Sequence, residues 1–176
     1  MATALQACEA LDAALRLSSK TATWHAARLR AAGLLPSTQG KPEQINAKHI
    51  AAILVAIVAS STVVSDYFEM PCSSGGAKFG ETLAHYIERP EDLFEVVIDA
   101  NSPAATITFR AADHGIQTLS FEARERHPRP AFDKQVRLGP DVFIHLAAAI
   151  KSAPEVRAGR RPLRERYRPY ETTTKF

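Results

Sequence analysis

Cysteine is scarce in this sequence: Cys8 and Cys72 are the only two among 176 residues. Two widely separated thiols build neither a disulfide framework nor a metal-ligand spacing, so a stapled secreted scaffold is excluded and a reducing cytosol is the simplest home. The six histidines show no H-x-x-x-H or Cys/His pairing of the kind that holds zinc. Long apolar runs are missing as well. The best stretch, Ile50 to Ala59, falls far short of the roughly 18 residues needed to cross a bilayer. The first residues carry Glu9 and Asp12 and no basic cluster, so a secretory signal is not expected there. Enzyme signatures are equally scarce. Ser18, Ser19, Ser73 and Ser74 lack a Gly-x-Ser-x-Gly setting, and Ser73-Ser74-Gly75-Gly76 has no Gly-Lys-Ser/Thr after it. Glu95, Asp99, Glu122 and Glu125 alternate on strand-like segments, where solvated carboxylates are expected. The expectation is a protein that is not an enzyme, with no cofactor and no metal.

Charge is present but unevenly placed. The net charge is +3. Residues 1–60 hold six basic to three acidic side chains, residues 61–150 eight to thirteen, and residues 151–176 eight to three. Basic ends around an acidic middle place any nucleic-acid contact at the ends.

The stretch from Leu11 to Pro36 reads as two short helices broken at Leu17-Ser18-Ser19. Leu5, Cys8, Leu11 and Leu15 recur at helical intervals over Thr3 to Arg16, an apolar stripe with Cys8 as a small buried hydrophobe. Ser18 or Ser19 is placed to cap a second helix, Ser19 to Ala32. That helix puts Ala22, Ala26 and Leu29 on one side, with His25 towards them, and Thr21, Thr23, Trp24 and Arg28 on the other. Gly33 then ends it in a left-handed conformation, and Pro36 sends the chain away extended.

The string L-x-x-A-L-x-L-S-x-x-T-x-x-x-x-x-x-R-L-R-x-A-G-L-L, Leu11 to Leu35, resembles the helix-turn-helix core of winged-helix DNA-binding regulators. Arg16 stands at the turn-side position where such proteins often carry glycine. The resemblance implies that the second helix enters a major groove. Arg28 would then pair with guanine O6 and N7, and Thr21 and Thr23 would meet a thymine methyl or a phosphate. Ser19 and Lys20 would meet phosphate at the helix N-terminus. Trp24 is placed either against the sugar-phosphate backbone or against a neighbouring helix, and Arg30 against phosphate or solvent. Ser37 to Gln44 would be a reduced wing carrying Gln39 and Lys41.

The rest of the chain reads in order. Asn46 caps a helix from Ala47 to about Val64 that is apolar nearly all round, so part of its surface is expected to meet the second half of the chain or another subunit. A homodimer is the preferred form. Glu69 to Ala77 is a loop, and Phe79 to Arg89 a helix with Phe79, Leu83 and Tyr86 or Ile87 inward. From Phe94 to Ala123 the period changes to two, giving a three-strand antiparallel meander. Lys134 to Leu138 is a fourth strand, and Gly139-Pro140-Asp141 opens a helix over Val142 to Lys151. The fold class is therefore α+β: an N-terminal helix-turn-helix module, then a small antiparallel sheet flanked by helices. The expected division is residues 1–66 for DNA binding, 67–151 for assembly or partner docking, and 152–176 as a basic tail. In that tail Arg157, Arg160, Arg161, Arg164, Arg166 and Arg168 fall within twelve residues, interleaved with Tyr167 and followed by Tyr170. Such a segment suits phosphate backbone or stacked bases.

These features converge on a sequence-specific DNA-binding transcriptional regulator, cytoplasmic and nucleoid-associated, with double-stranded DNA as partner and no membrane. Transcription or packaging machinery is a further expected partner. Two other classes fit the same layout. One is a viral packaging or replication component of the small-terminase kind. The other is a transcription-machinery or RNA-binding adaptor that uses its arginine-rich tail.

Overall fold

A computed structural model describes residues 2–37, 44–60, 62–123 and 134–154. Among these residues six helices and four strands follow in order: α1 Ala4–Ala14, α2 Thr21–Ala31, α3 Ala47–Ala59, α4 Val64–Phe68, α5 Phe79–Glu88, β1 Leu93–Asp99, β2 Ala104–Arg110, β3 Ile116–Glu122, β4 Gln135–Leu138 and α6 Pro140–Ser152. The fold is α+β, with the N-terminal helices preceding the sheet. All strand pairs are antiparallel, in the order β3-β2-β1-β4. Val96, Ile98, Ala105, Ile107, Phe121 and Leu138 bury one face of the sheet, while Thr108 and Thr118 meet across the other, their hydroxyls 3.1 Å apart.

Helix α3 is the centre of the molecule. Ile50 through Ala56 are all buried, because α2, α4, α5 and β1 cover it from different sides. The apolar girth that suggested a homodimer is thus covered by the chain's own elements. Asn46 caps α3 in a reciprocal box with His49, as its sequence indicates. The helix is shorter than expected: it stops at Ala59, where Ser60 turns to φ 117°, and the chain re-enters a helix only at Val64. Residues 66 and 67, where a domain boundary was expected, lie inside α4, and buried residues before and after them belong to one core cluster.

The remaining elements lock onto that centre. Helix α6 packs on α1, and Gln6 donates from Nε2 to the Pro154 carbonyl at 3.1 Å. The loop expected over Glu69 to Ala77 runs along the sheet edge, where the Ser73 N–H donates to the Ser120 carbonyl at 2.8 Å. The Tyr67 hydroxyl donates to the Asp99 carbonyl and lies 3.0 Å from that of Ser102, tying α4 to the β1–β2 turn. Burial, followed by the charges of Asp99 and Asp66, pushes this phenol up to about 12.

The apolar stripe of α1 departs from the expected one. Ala4, Ala7, Cys8 and Leu11 are buried, whereas Leu5 is exposed. Small side chains form the inner edge, so α1 lies close against its neighbours and Leu5 falls outside the contact.

Candidate nucleic-acid interface

The turn between α1 and α2 depends on two residues in the left-handed region. Arg16 has φ 52° and Lys20 φ 76°. At Arg16 the chain makes the paired bonds of a glycine-type helix end: Leu17 N–H to the Asp12 carbonyl at 2.9 Å, and Arg16 N–H to the Ala13 carbonyl at 3.2 Å. Arginine there carries a Cβ that crowds the following carbonyl, a cost of about 1–2 kcal/mol. At the far end, Gly33 (φ 74°) closes α2 with the same pattern at no such cost.

The N-terminus of α2 is capped by tertiary structure, not by the serines of the turn. Asp12, reaching from α1, accepts the Lys20 N–H through Oδ2 and the Ala22 N–H through Oδ1, both at 2.8 Å. Ser18 instead receives the Thr21 hydroxyl on its carbonyl at 2.8 Å. This bears on the phosphate contact expected at the start of α2. The Lys20 and Ala22 amides are already bound by a buried carboxylate, and a phosphate beside them would face its charge. Asp12 also sets how α2 projects from α1, because its two bonds span the helix–helix corner.

Within α2 the two faces differ sharply. Ala22, Ala26 and Leu29 are buried against α1 and α3. Lys20, Trp24, Ala27, Arg28 and Ala31 are exposed. Trp24 keeps 55% of its surface in solvent, so the sheet does not cover it. The helix carries no acidic side chain, and Arg28 lies over the Trp24 ring with its guanidinium carbon 4.7 Å from the centroid. His25 meets the Trp24 ring at 4.8 Å and 87°. Its Nδ1 is buried without a partner, and burial, then the charge of Arg28, pulls its pKa below the ordinary value.

The structure separates the residues named from the sequence. Lys20, Trp24 and Arg28, at four-residue spacing, form one outward ridge, with Ser19 exposed at its start. Thr21 spends its hydroxyl in the turn. Thr23 is half-buried and lies near Cys8, whose thiol is pushed up by burial, an effect that Arg30 and Thr23 oppose. Both threonines are half-buried, in contrast to the exposed ridge. Arg30 is half-buried, with its charge close enough to Cys8 to act on it. Lys41 and the tail arginines Arg157, Arg160, Arg161, Arg164, Arg166 and Arg168 lie outside the described residues. The residue that sequence reasoning missed is Asp12. Its only signal is a carboxylate at the inner end of an otherwise apolar stripe.

Elsewhere, an apolar cleft of about 190 Å³ opens between α3, α5 and α6, floored by Ile45, Ile50, Ile87 and Ile150. It is smaller than the roughly 300 Å³ at which ligand pockets usually begin. Among the described residues no group of three His, Cys, Asp or Glu side chains is placed to hold a metal ion, and no helix is long and apolar enough to cross a membrane. Models of known protein families, curated proteins and solved structures give no match to this chain.

Proposed function

We propose that this chain is a sequence-specific DNA-binding regulator that lays the outer face of α2 into the major groove. The supporting observation is the ridge of Lys20, Trp24 and Arg28, which is basic, exposed and free of acidic neighbours on its helix. Its inner face, by contrast, is fully used in packing. A major groove admits a single helix, and an arginine reads guanine by pairing with O6 and N7. Lys20 supplies a phosphate contact from its side chain, since its amide is taken. Lys41 and the basic residues of the tail add counterion release, which strengthens binding without reading sequence.

The test is equilibrium binding of the full chain to a duplex selected from a randomised pool and to random duplex. Arg28→Ala is expected to weaken the selected duplex by about 1–3 kcal/mol and to relax preference at one position. Equal loss on both duplexes would argue that α2 does not read bases.

A further inference from the structure

We infer that Trp24 takes part in recognition through Arg28: it is a positioning residue that holds the guanidinium over its ring, so that the N–H donors are presented to guanine. The inference rests on the DNA-binding reading. The Arg28 guanidinium carbon sits 4.7 Å from the Trp24 centroid, within the range of a cation–π contact. The two residues are four apart on one helix face, where side chains are neighbours. An unsupported arginine samples many rotamers, and binding would have to freeze them; one already seated on a ring loses less.

The indole is itself braced. The His25 imidazole meets it nearly perpendicular at 4.8 Å, and the buried Nδ1 marks that imidazole as wedged into the helix flank. One indole face lies under the guanidinium, so a base stacking on that face would first have to displace Arg28. The arrangement suits a support better than a stacking platform. Phenylalanine can replace the ring face, whereas alanine cannot. Lysine cannot replace Arg28, because an ammonium has no plane to seat and no fork to present.

The experiment measures fluorescence anisotropy of the full chain with three labelled duplexes: the selected site, the same site with single guanines replaced by 7-deazaguanine, and random sequence. Wild type should lose about tenfold in affinity at one 7-deazaguanine position, the loss of one good base contact. Trp24→Ala should lose a similar factor on the selected site, little on random duplex, and its sensitivity to that 7-deazaguanine. Trp24→Phe should retain most of the preference, and Trp24→Ala with Arg28→Ala should bind no worse than Arg28→Ala alone. Additive losses in the double variant, or equal weakening on random duplex, would overturn the inference by showing that Trp24 touches DNA itself. Without DNA, proton NMR should show the Arg28 side-chain methylenes shifted upfield by the ring in wild type and in Trp24→Phe. An unshifted wild type would overturn the inference even if Trp24→Ala fails to fold. A wild-type chain that binds no duplex at low salt overturns the DNA reading, and the inference with it.

Discussion

Helices α2 and α3 pack against each other and differ in what surrounds them. Helix α3 is buried from Ile50 through Ala56, with other elements on several sides. Helix α2 buries only Ala22, Ala26 and Leu29 and leaves its largest side chain, Trp24, mostly in water. One helix is committed entirely to stability. The other contributes a thin inner seam and keeps an outer face that the fold does not need. Trp24 stands exposed on a basic ridge beside Arg28.

The largest effect expected from this contrast is in α3. Leu54→Ala removes a fully buried side chain from a helix enclosed on several sides, and should cost about 2–5 kcal/mol. Urea unfolding monitored by circular dichroism measures it. A loss below about 1 kcal/mol would mean that α3 is less enclosed than described.

Next comes the corner that joins the two regions. Asp12→Ala deprives the Lys20 and Ala22 amides of their acceptor and should destabilise by about 1–3 kcal/mol. It should also weaken duplex binding, because α2 loses its fixed projection. Unchanged stability would show that the carboxylate is not the cap. Arg16→Gly works in the opposite direction. Arg16 adopts φ 52°, so glycine should raise stability by up to about 1 kcal/mol, read as an increase in the urea midpoint.

The smallest effect is on pH. His25 on α2 and His49 on α3 both have pKa values below the usual 6.5, each chiefly through burial. The folded chain therefore binds fewer protons than the unfolded chain just below that value, so stability is full above it and falls as pH drops through it. The melting temperature should decline from pH 7.5 towards pH 5, and less steeply in His25→Gln. A flat profile in wild type would contradict the assigned burial.

Much of the architecture was legible in residue patterns because local rules decided it. Alternation of Ile107 and Phe109 with Thr106 and Thr108 marks the strand, Asn46 marks the start of α3, and Gly33 marks the end of α2. What was not legible depended on contacts distant in sequence. The serines next to α2 looked like its cap, but Asp12, one helix earlier, reaches its amides first. The girth of α3 fitted either the second half of the chain or another subunit, because a helix pattern reports how much surface is apolar, not which element covers it. Within the candidate site, Trp24 and Arg28 were expected on the outer side of α2, where they are exposed. The turn bond from the Thr21 hydroxyl to the Ser18 carbonyl was not legible, since it depends on how the turn folds.

The most direct test of the central claim is backbone amide chemical-shift mapping of the full chain titrated with the selected duplex. The account predicts that shifts concentrate on Lys20, Trp24, Arg28 and their neighbours along α2, while α3 and the strand centres stay unmoved. Perturbations confined to the sheet, with α2 silent, would contradict it.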